Sequence, residues 1–115
     1  MKNDLDTLNE YPDFVNDLNV TLPDYGDLQA IREDIQHHLL GLSEEVGELC
    51  SIYIKTQYTN KIDYSCDDWE EELGDILYHL QALCNGIDIT IPELMRLNME
   101  KLKARMRIQG IPHAE

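Results

Sequence analysis

The chain is expected to fold as an all-α helical bundle completed by oligomerisation. Three observations predict this. Apolar residues recur at steps of three and four over long stretches, capping or breaking residues bound each stretch, and no segment shows strand alternation with β-branched enrichment. At 115 residues there is room for one domain, 1–115, with an N-terminal helix and loop in 1–26 and core helices in 27–109. With one Trp and one Phe, the core must come from Leu, Ile, Val, Met and Tyr. A helical chain this short gains core by pairing with copies of itself.

Residues 1–26 are mixed in character, broken by Pro12, Pro23 and Gly26. A short helix is expected around Tyr11 to Leu18, with Pro12 tolerated in its first turn, followed by a loop from Asn19 to Gly26. From Asp27 a stripe runs through Leu28, Ile31, Ile35, Leu39, Leu42, Val46, Leu49 and Tyr53, predicting a long helix that ends near Lys55 to Gln57. The stretch Tyr58 to Ser65 is polar and loop-like. Asp67-Asp68-Trp69-Glu70 resembles a capping box with Asp67 as N-cap, opening a helix with the stripe Trp69, Leu73, Ile76, Leu80, Leu83 and Cys84. Asn85-Gly86 is its stop signal. Thr90-Ile91-Pro92-Glu93 caps a last helix running through Leu94, Leu97, Leu102 and Met106 to Gly110.

The charge is strongly acidic, with 23 Asp plus Glu against 9 Lys plus Arg and a formal net charge of -14. Such a surface repels a nucleic-acid backbone, so no nucleic-acid partner is expected. It repels free polyphosphates too, so an anionic ligand would need cations between itself and the protein. Cys50, Cys66 and Cys84 form no CxxC pair and are odd in number, the pattern of reduced thiols. Cys50 and Cys84 fall in helical stripes as small core residues. The opening Met1-Lys2-Asn3-Asp4-Leu5-Asp6 has no signal-like apolar run, and no later segment is apolar enough to span a bilayer; a cytoplasmic setting without a membrane partner is expected.

The placement of the acids carries more meaning than their number. Glu44-Glu45-Val46-Gly47-Glu48 lies inside one long helix and Glu72-Leu73-Gly74-Asp75 inside the next. Residues three apart share a helix face, so Glu45 projects with Glu48, and Glu72 with Asp75. At about 100° per residue, Glu45 lies about 70° from the centre of its apolar stripe, Glu48 about 130° and Glu44 about 170°. Glu72 lies about 80° from its own stripe and Asp75 about 140°. Both pairs therefore flank packed surfaces, where two helices can aim them into one cleft. Solvated acidic faces normally have Lys or Arg within a turn, yet none lies within four residues of these acids. Gly47 and Gly74 sit mid-helix, each costing about 0.5–1 kcal/mol relative to Ala. Four like charges in a cleft call for hard divalent cations, whose coordination water and substrate phosphates complete.

Leu42-Ser43-Glu44-Glu45-Val46-Gly47-Glu48-Leu49, followed by Glu71-Glu72-Leu73-Gly74-Asp75-Ile76-Leu77, resembles the EExxE…ExxD signature of the MazG-like all-α nucleoside triphosphate pyrophosphohydrolases. Asn98-Met99-Glu100-Lys101-Leu102 with Arg105 is similar to that family's Asn-x-x-Lys-Leu-x-x-Arg stretch, and the resemblance covers residues 28–107. It implies hydrolysis of a (deoxy)nucleoside triphosphate to monophosphate and pyrophosphate, in nucleotide-pool control or house-cleaning. It also implies Mg2+, with Mn2+ as a substitute. The catalytic and metal-ligand positions would be Glu45, Glu48, Glu72 and Asp75, with Glu44, at a position that varies among relatives, as a further metal ligand. Asn98, Lys101 and Arg105 would meet sugar or phosphates. Lys55 matches a basic position after the first acidic segment, while His79 and His38 are candidates for the base, sugar or phosphate. The assembly would be a homodimer or homotetramer. The family often continues its last motif as Arg-Tyr-Pro, where this chain reads Arg105-Met106-Arg107.

Two other readings compete. A carboxylate-bridged di-iron bundle wants Glu-x-x-His on two helices, and Asp34-x-x-His37 with Asp75-x-x-x-His79 does not supply it. A non-enzymatic acidic interaction module would draw a basic partner by charge alone, and its acids would be interchangeable.

Overall fold

The computed structural model describes residues 3–19, 26–59 and 66–108, with the side chains of 56–59 and 66–67 outside that description. Among the described residues there are four helices and no strands: α1 (Asp4–Leu18), α2 (Leu28–Thr59), α3 (Cys66–Gly86) and α4 (Ile91–Ile108). The chain is all-α, as its periodicity predicts.

α1 begins about two turns before the expected start at Tyr11. The cause is a capping box at its mouth. The Asn3 side chain accepts from the Asp6 backbone N–H at 2.9 Å, and Asp6 accepts in return from the Asn3 N–H at 3.4 Å. Pro12 consequently lies in the middle of α1 and not in its first turn. α2 is capped by Asp27, whose carboxylate accepts from the N–H groups of Gln29 and Ala30 at 3.0 and 3.2 Å. It continues through Thr59, past the expected end at Gln57. α3 already includes Cys66, so Asp67 lies inside the helix; the capping expected of its side chain falls outside the described residues.

The left-handed residue that ends α3 is Asp88, with φ 58°, not Gly86. Ile89 N–H bonds to the Cys84 carbonyl at 3.0 Å and Asp88 N–H to the Asn85 carbonyl at 3.3 Å, the paired bonds of a Schellman turn. α4 opens as expected, with Thr90 Oγ1 accepting from the Glu93 N–H at 3.2 Å. The expected extension from Ile108 to Gly110 falls outside the described residues.

α2 packs along α3, and α1 lies across α3. The apolar core is small: Val15, Ala82 and Cys84 are buried, and beside them lie the buried polar residues Asn19, His38 and Gln81. Asn85, read from sequence as part of a stop signal, joins α1 to α3. Its amide donates to the Pro12 carbonyl and to Asn16 Oδ1, both at 3.0 Å, and accepts from Gln81 Nε2 at 2.9 Å.

The expected apolar stripes are only partly covered. Ile31, Ile35, Leu42 and Leu49 are half-buried, while Leu39, Val46 and Tyr53 remain exposed. On α3, Leu73 and Leu77 are exposed, and Trp69, expected in the core, is 37% exposed. Cys84 is buried as expected, but Cys50 is exposed. The reason is rotational. α2 meets α3 along His38, Gly41 and Glu45, a face turned from the apolar stripe, and α4 has no fully buried residue. No helix among the described residues is long and apolar enough to cross a membrane.

Candidate metal and substrate site

Glu45 on α2 lies beside Glu72 on α3, and His38 on α2 beside His79 on α3. Rising numbers on one helix thus meet falling numbers on the other, so the pair is antiparallel. This register brings the two acidic motifs together. One carboxylate oxygen from each of Glu45, Glu72 and Asp75 lies within 4.8 Å of the other two. Glu45 and Glu72 are half-buried at the helix seam and Asp75 is at the exposed mouth, the order their angles from the stripes predict. Glu48 is exposed on the same flank and interacts with Glu72. Glu44 is exposed and outside the cluster, acting on it only through its charge.

The electrostatics are those of crowded acids. Burial raises the pKa of Glu45, with Glu48, Asp75 and Glu44 adding to the rise against a favourable bond from Glu72. Glu48 is raised first by the Glu72 charge. Glu72 is raised by burial and then by its bond with Glu45. Among the described residues no lysine or arginine is named as shifting these groups. Oε2 of Glu45 and Oε2 of Glu72 are buried with no hydrogen-bond partner, a costly state for a carboxylate unless a cation completes it. A Cβ placed on Gly47 or Gly74 would meet nothing within 4 Å, so the backbone beside these acids is open to a ligand. The donor set is all oxygen, which suits a hard divalent ion.

Behind the acids lies a polar clasp. His38, 1% exposed, places Nδ1 3.0 Å from His79 Nδ1 and Nε2 3.5 Å from Asp34 Oδ1. The Asn19 amide donates to the same Asp34 oxygen at 2.9 Å. Two ring nitrogens at hydrogen-bonding distance need one proton between them, so one donates and one accepts. Burial lowers the pKa of both histidines; Asp34 opposes this at His38, and Asp75 and Glu44 oppose it at His79. His38 thus supports the site from within, closed to direct contact with a substrate. His79 is half-buried one turn from Asp75, with its imidazole against Gly41.

A Cβ on Gly41 would collide with Cε1 and Nε2 of that ring. Gly41→Ala should therefore push His79 off His38 and destabilise the fold by about 1–3 kcal/mol. Gly47→Ala, six residues along the same helix in open space, should leave stability equal or slightly higher. Paired thermal unfolding curves check both.

Asn98, Lys101 and Arg105 are exposed on α4, and Lys55 is exposed near the end of α2. Reasoning from sequence missed the part that Gly41 and Asp34 play around the two histidines, though both were legible in the steps Asp34, His38, Gly41, Glu45.

Antiparallel helices of an all-α chain here pool three carboxyls into a candidate divalent-metal site. Residues 33–108 match the MazG nucleotide pyrophosphohydrolase domain, and the chain belongs to that family of metal-dependent hydrolases. The chain is 29% identical to the Gene 37 protein of Mycobacterium phage L5 over 87 residues, 72% of this chain and 75% of that protein. It is 36% identical to the uncharacterized protein YpjD of Bacillus subtilis (strain 168) over 67 residues, 56% of this chain and 60% of that protein. No solved structure matches. α1 lies wholly outside the matched segment.

Proposed function

We propose that the chain hydrolyses a (deoxy)nucleoside triphosphate to the monophosphate and pyrophosphate with magnesium, in nucleotide-pool control or house-cleaning. The observation that carries this reading is the cluster of Glu45, Glu72 and Asp75, with two buried carboxylate oxygens that no protein group satisfies. Glu45, Glu72 and Asp75 would hold the ion, with Glu48 at the rim. Magnesium supplies charge neutralisation of the triphosphate and polarises a phosphoryl oxygen.

The chain's own groups do the rest. Glu45 and Glu72, held at the seam by the packing of α2 on α3, fix where the phosphates can approach. Glu48 stands outside the three-carboxyl cluster, exposed and with a pKa raised by Glu72. We assign it as the group that takes the proton from the attacking water, since it stands beside the three carboxyls that would hold the ion and is open to solvent. The exposed Asn98, Lys101 and Arg105 would meet the phosphates or sugar, with Lys55 in a supporting role.

Self-association into a dimer or tetramer belongs to the same proposal. Leu39, Val46, Leu77, Leu97 and Leu102 are exposed across three helices, and α4 has no fully buried residue, with Ile91, Leu94 and Met106 half-buried. A panel of nucleoside and deoxynucleoside triphosphates, with magnesium or manganese, tests the reading. Pyrophosphate should be released by the wild type and not by Asp75→Asn. Silence across the panel from folded protein would favour a non-enzymatic acidic interaction module.

A further inference from the structure

The seam between α2 and α3 runs on past the carboxyl cluster. Glu72, Asp75 and His79 follow at steps of three and four on α3, and His38, Gly41 and Glu45 at the same steps on α2, so each set shares one side of its helix. Glu45 meets Glu72 and Asp75, and Gly41 meets the His79 ring. Asp75 and His79 are four residues apart, about 6 Å along the helix axis, so His79 stands one turn from the acids on the same seam. Its Nδ1 is engaged by His38 at 3.0 Å. Its Nε2 makes no hydrogen bond among the described residues and is not one of the buried atoms left without a partner, so it reaches solvent.

The direction of the bond between the two rings decides what that nitrogen offers. His38 is 1% exposed, and its buried Nε2 lies 3.5 Å from Asp34 Oδ1. A bare Nε2 there would set its lone pair against a carboxylate oxygen, away from water, where such an opposition is costly. The Asn19 amide donates to the same Oδ1 at 2.9 Å and fixes that oxygen in place. The proton of a neutral His38 therefore sits on Nε2, and its Nδ1 accepts. His79 must then donate from Nδ1, which leaves its Nε2 as a lone pair. Burial lowers the pKa of both rings and so disfavours a second proton on either.

We propose that Asp34 acts through His38 as a positioning residue for His79, holding the His79 proton on Nδ1 so that Nε2 accepts a hydrogen bond from a hydroxyl or N–H group of the nucleoside part of the substrate. The contact rests on the hydrolase reading above; the proton arrangement does not. A lone pair at this place repels phosphate oxygens, which belong at the carboxyl cluster one turn away. The donors of a nucleoside triphosphate are its sugar hydroxyls and the N–H groups of its base. The ring is already pinned between Gly41 and His38, so it loses little freedom on binding.

Nitrogen-resolved NMR of the imidazoles in metal-free protein, at mildly alkaline pH, reads the proton positions without any turnover. His38 should carry its proton on Nε2 and His79 on Nδ1, the minor form of a free histidine side chain. Asp34→Leu removes the acceptor and should let the His79 proton return to Nε2. With the best triphosphate the same variant should raise KM about fivefold to tenfold and leave kcat within about twofold. That penalty should vanish for an analogue without sugar hydroxyls if the sugar is the donor, and for an analogue without base N–H groups if the base is. A His79 proton on Nε2 in the wild type overturns the proposal, and this measurement decides even where Asp34→Leu does not fold. An unchanged His79 proton in folded Asp34→Leu overturns the part given to Asp34. A penalty equal for all three triphosphates overturns the contact. A wild type with the expected protons that hydrolyses nothing removes the hydrolase reading and the contact together; an active wild type with the His79 proton on Nε2 removes this inference alone.

Discussion

Glu72→Gln should lower turnover by about a thousandfold or more, the scale of losing one member of a group that acts as a unit. The same substitution should raise the melting temperature of the metal-free protein. Both effects have one origin. Burial first, then the bond with Glu45 and the charges of Glu45 and Asp75, raise the pKa of Glu72 above the ordinary carboxyl range, against an opposing bond with Glu48. Without a cation the folded chain must either keep protons on this cluster or endure the repulsion. A glutamine keeps the shape, removes one charge and can donate to Glu45. It is a poor ligand for a hard ion, so the relief comes with loss of the site. A purely structural acid predicts the opposite pairing, with lower stability and no specific loss of turnover. Unfolding with and without chelator, beside initial rates, separates the two.

Magnesium should stabilise the protein strongly, and more at pH 8 than at pH 5. An ion in hundredfold excess over its Kd stabilises by about 2.7 kcal/mol, on the order of 10 °C for a chain of this size. The pH dependence follows from the raised pKa values of Glu45, Glu48 and Glu72. Below the ordinary carboxyl range these groups are protonated in both folded and unfolded chains, and folding is not penalised. As pH rises, the unfolded chain gives up its protons first, so stability of the metal-free protein is lost as pH climbs through the higher folded values. Magnesium replaces the protons and cancels that loss, so its stabilisation grows in the same window. The histidines act in the other direction. His38 and His79 have lowered pKa values, so the stability they contribute as neutral rings is present above about pH 6.5 and is lost as pH falls below it. Comparing the protein with and without magnesium at each pH removes the histidine contribution. Asp75→Asn should flatten the magnesium effect.

The helices and the carboxyl cluster were legible in the sequence because both rest on local periodicity. Spacing puts Glu45 with Glu48 and Glu72 with Asp75 on shared flanks, and the angles from the stripes order their burial correctly. What periodicity cannot give is the rotation of one helix about its neighbour. The α2 stripe through Leu39 and Val46 predicts an apolar seam, whereas the contact with α3 falls on His38, Gly41 and Glu45, with the buried His38 against the half-buried His79 where Leu would be expected. Gly41 shows why: only a residue without a side chain admits the His79 ring there. The start of α1 was misplaced because Pro12 is a strong local signal and the Asn3/Asp6 box that opens the helix is a weak one. Asp88, likewise, ends α3 in the left-handed conformation that Gly86 invited one to expect.

The central claim is that one carboxyl cluster on α2 and α3 splits a nucleoside triphosphate between its first and second phosphates. Phosphorus NMR of a reaction with magnesium, run with wild type and with Glu72→Gln, tests it most directly. Monophosphate and pyrophosphate should appear in equal amounts with the wild type and remain near background with the variant. Diphosphate and orthophosphate as the products, or equal rates from both proteins, would contradict it.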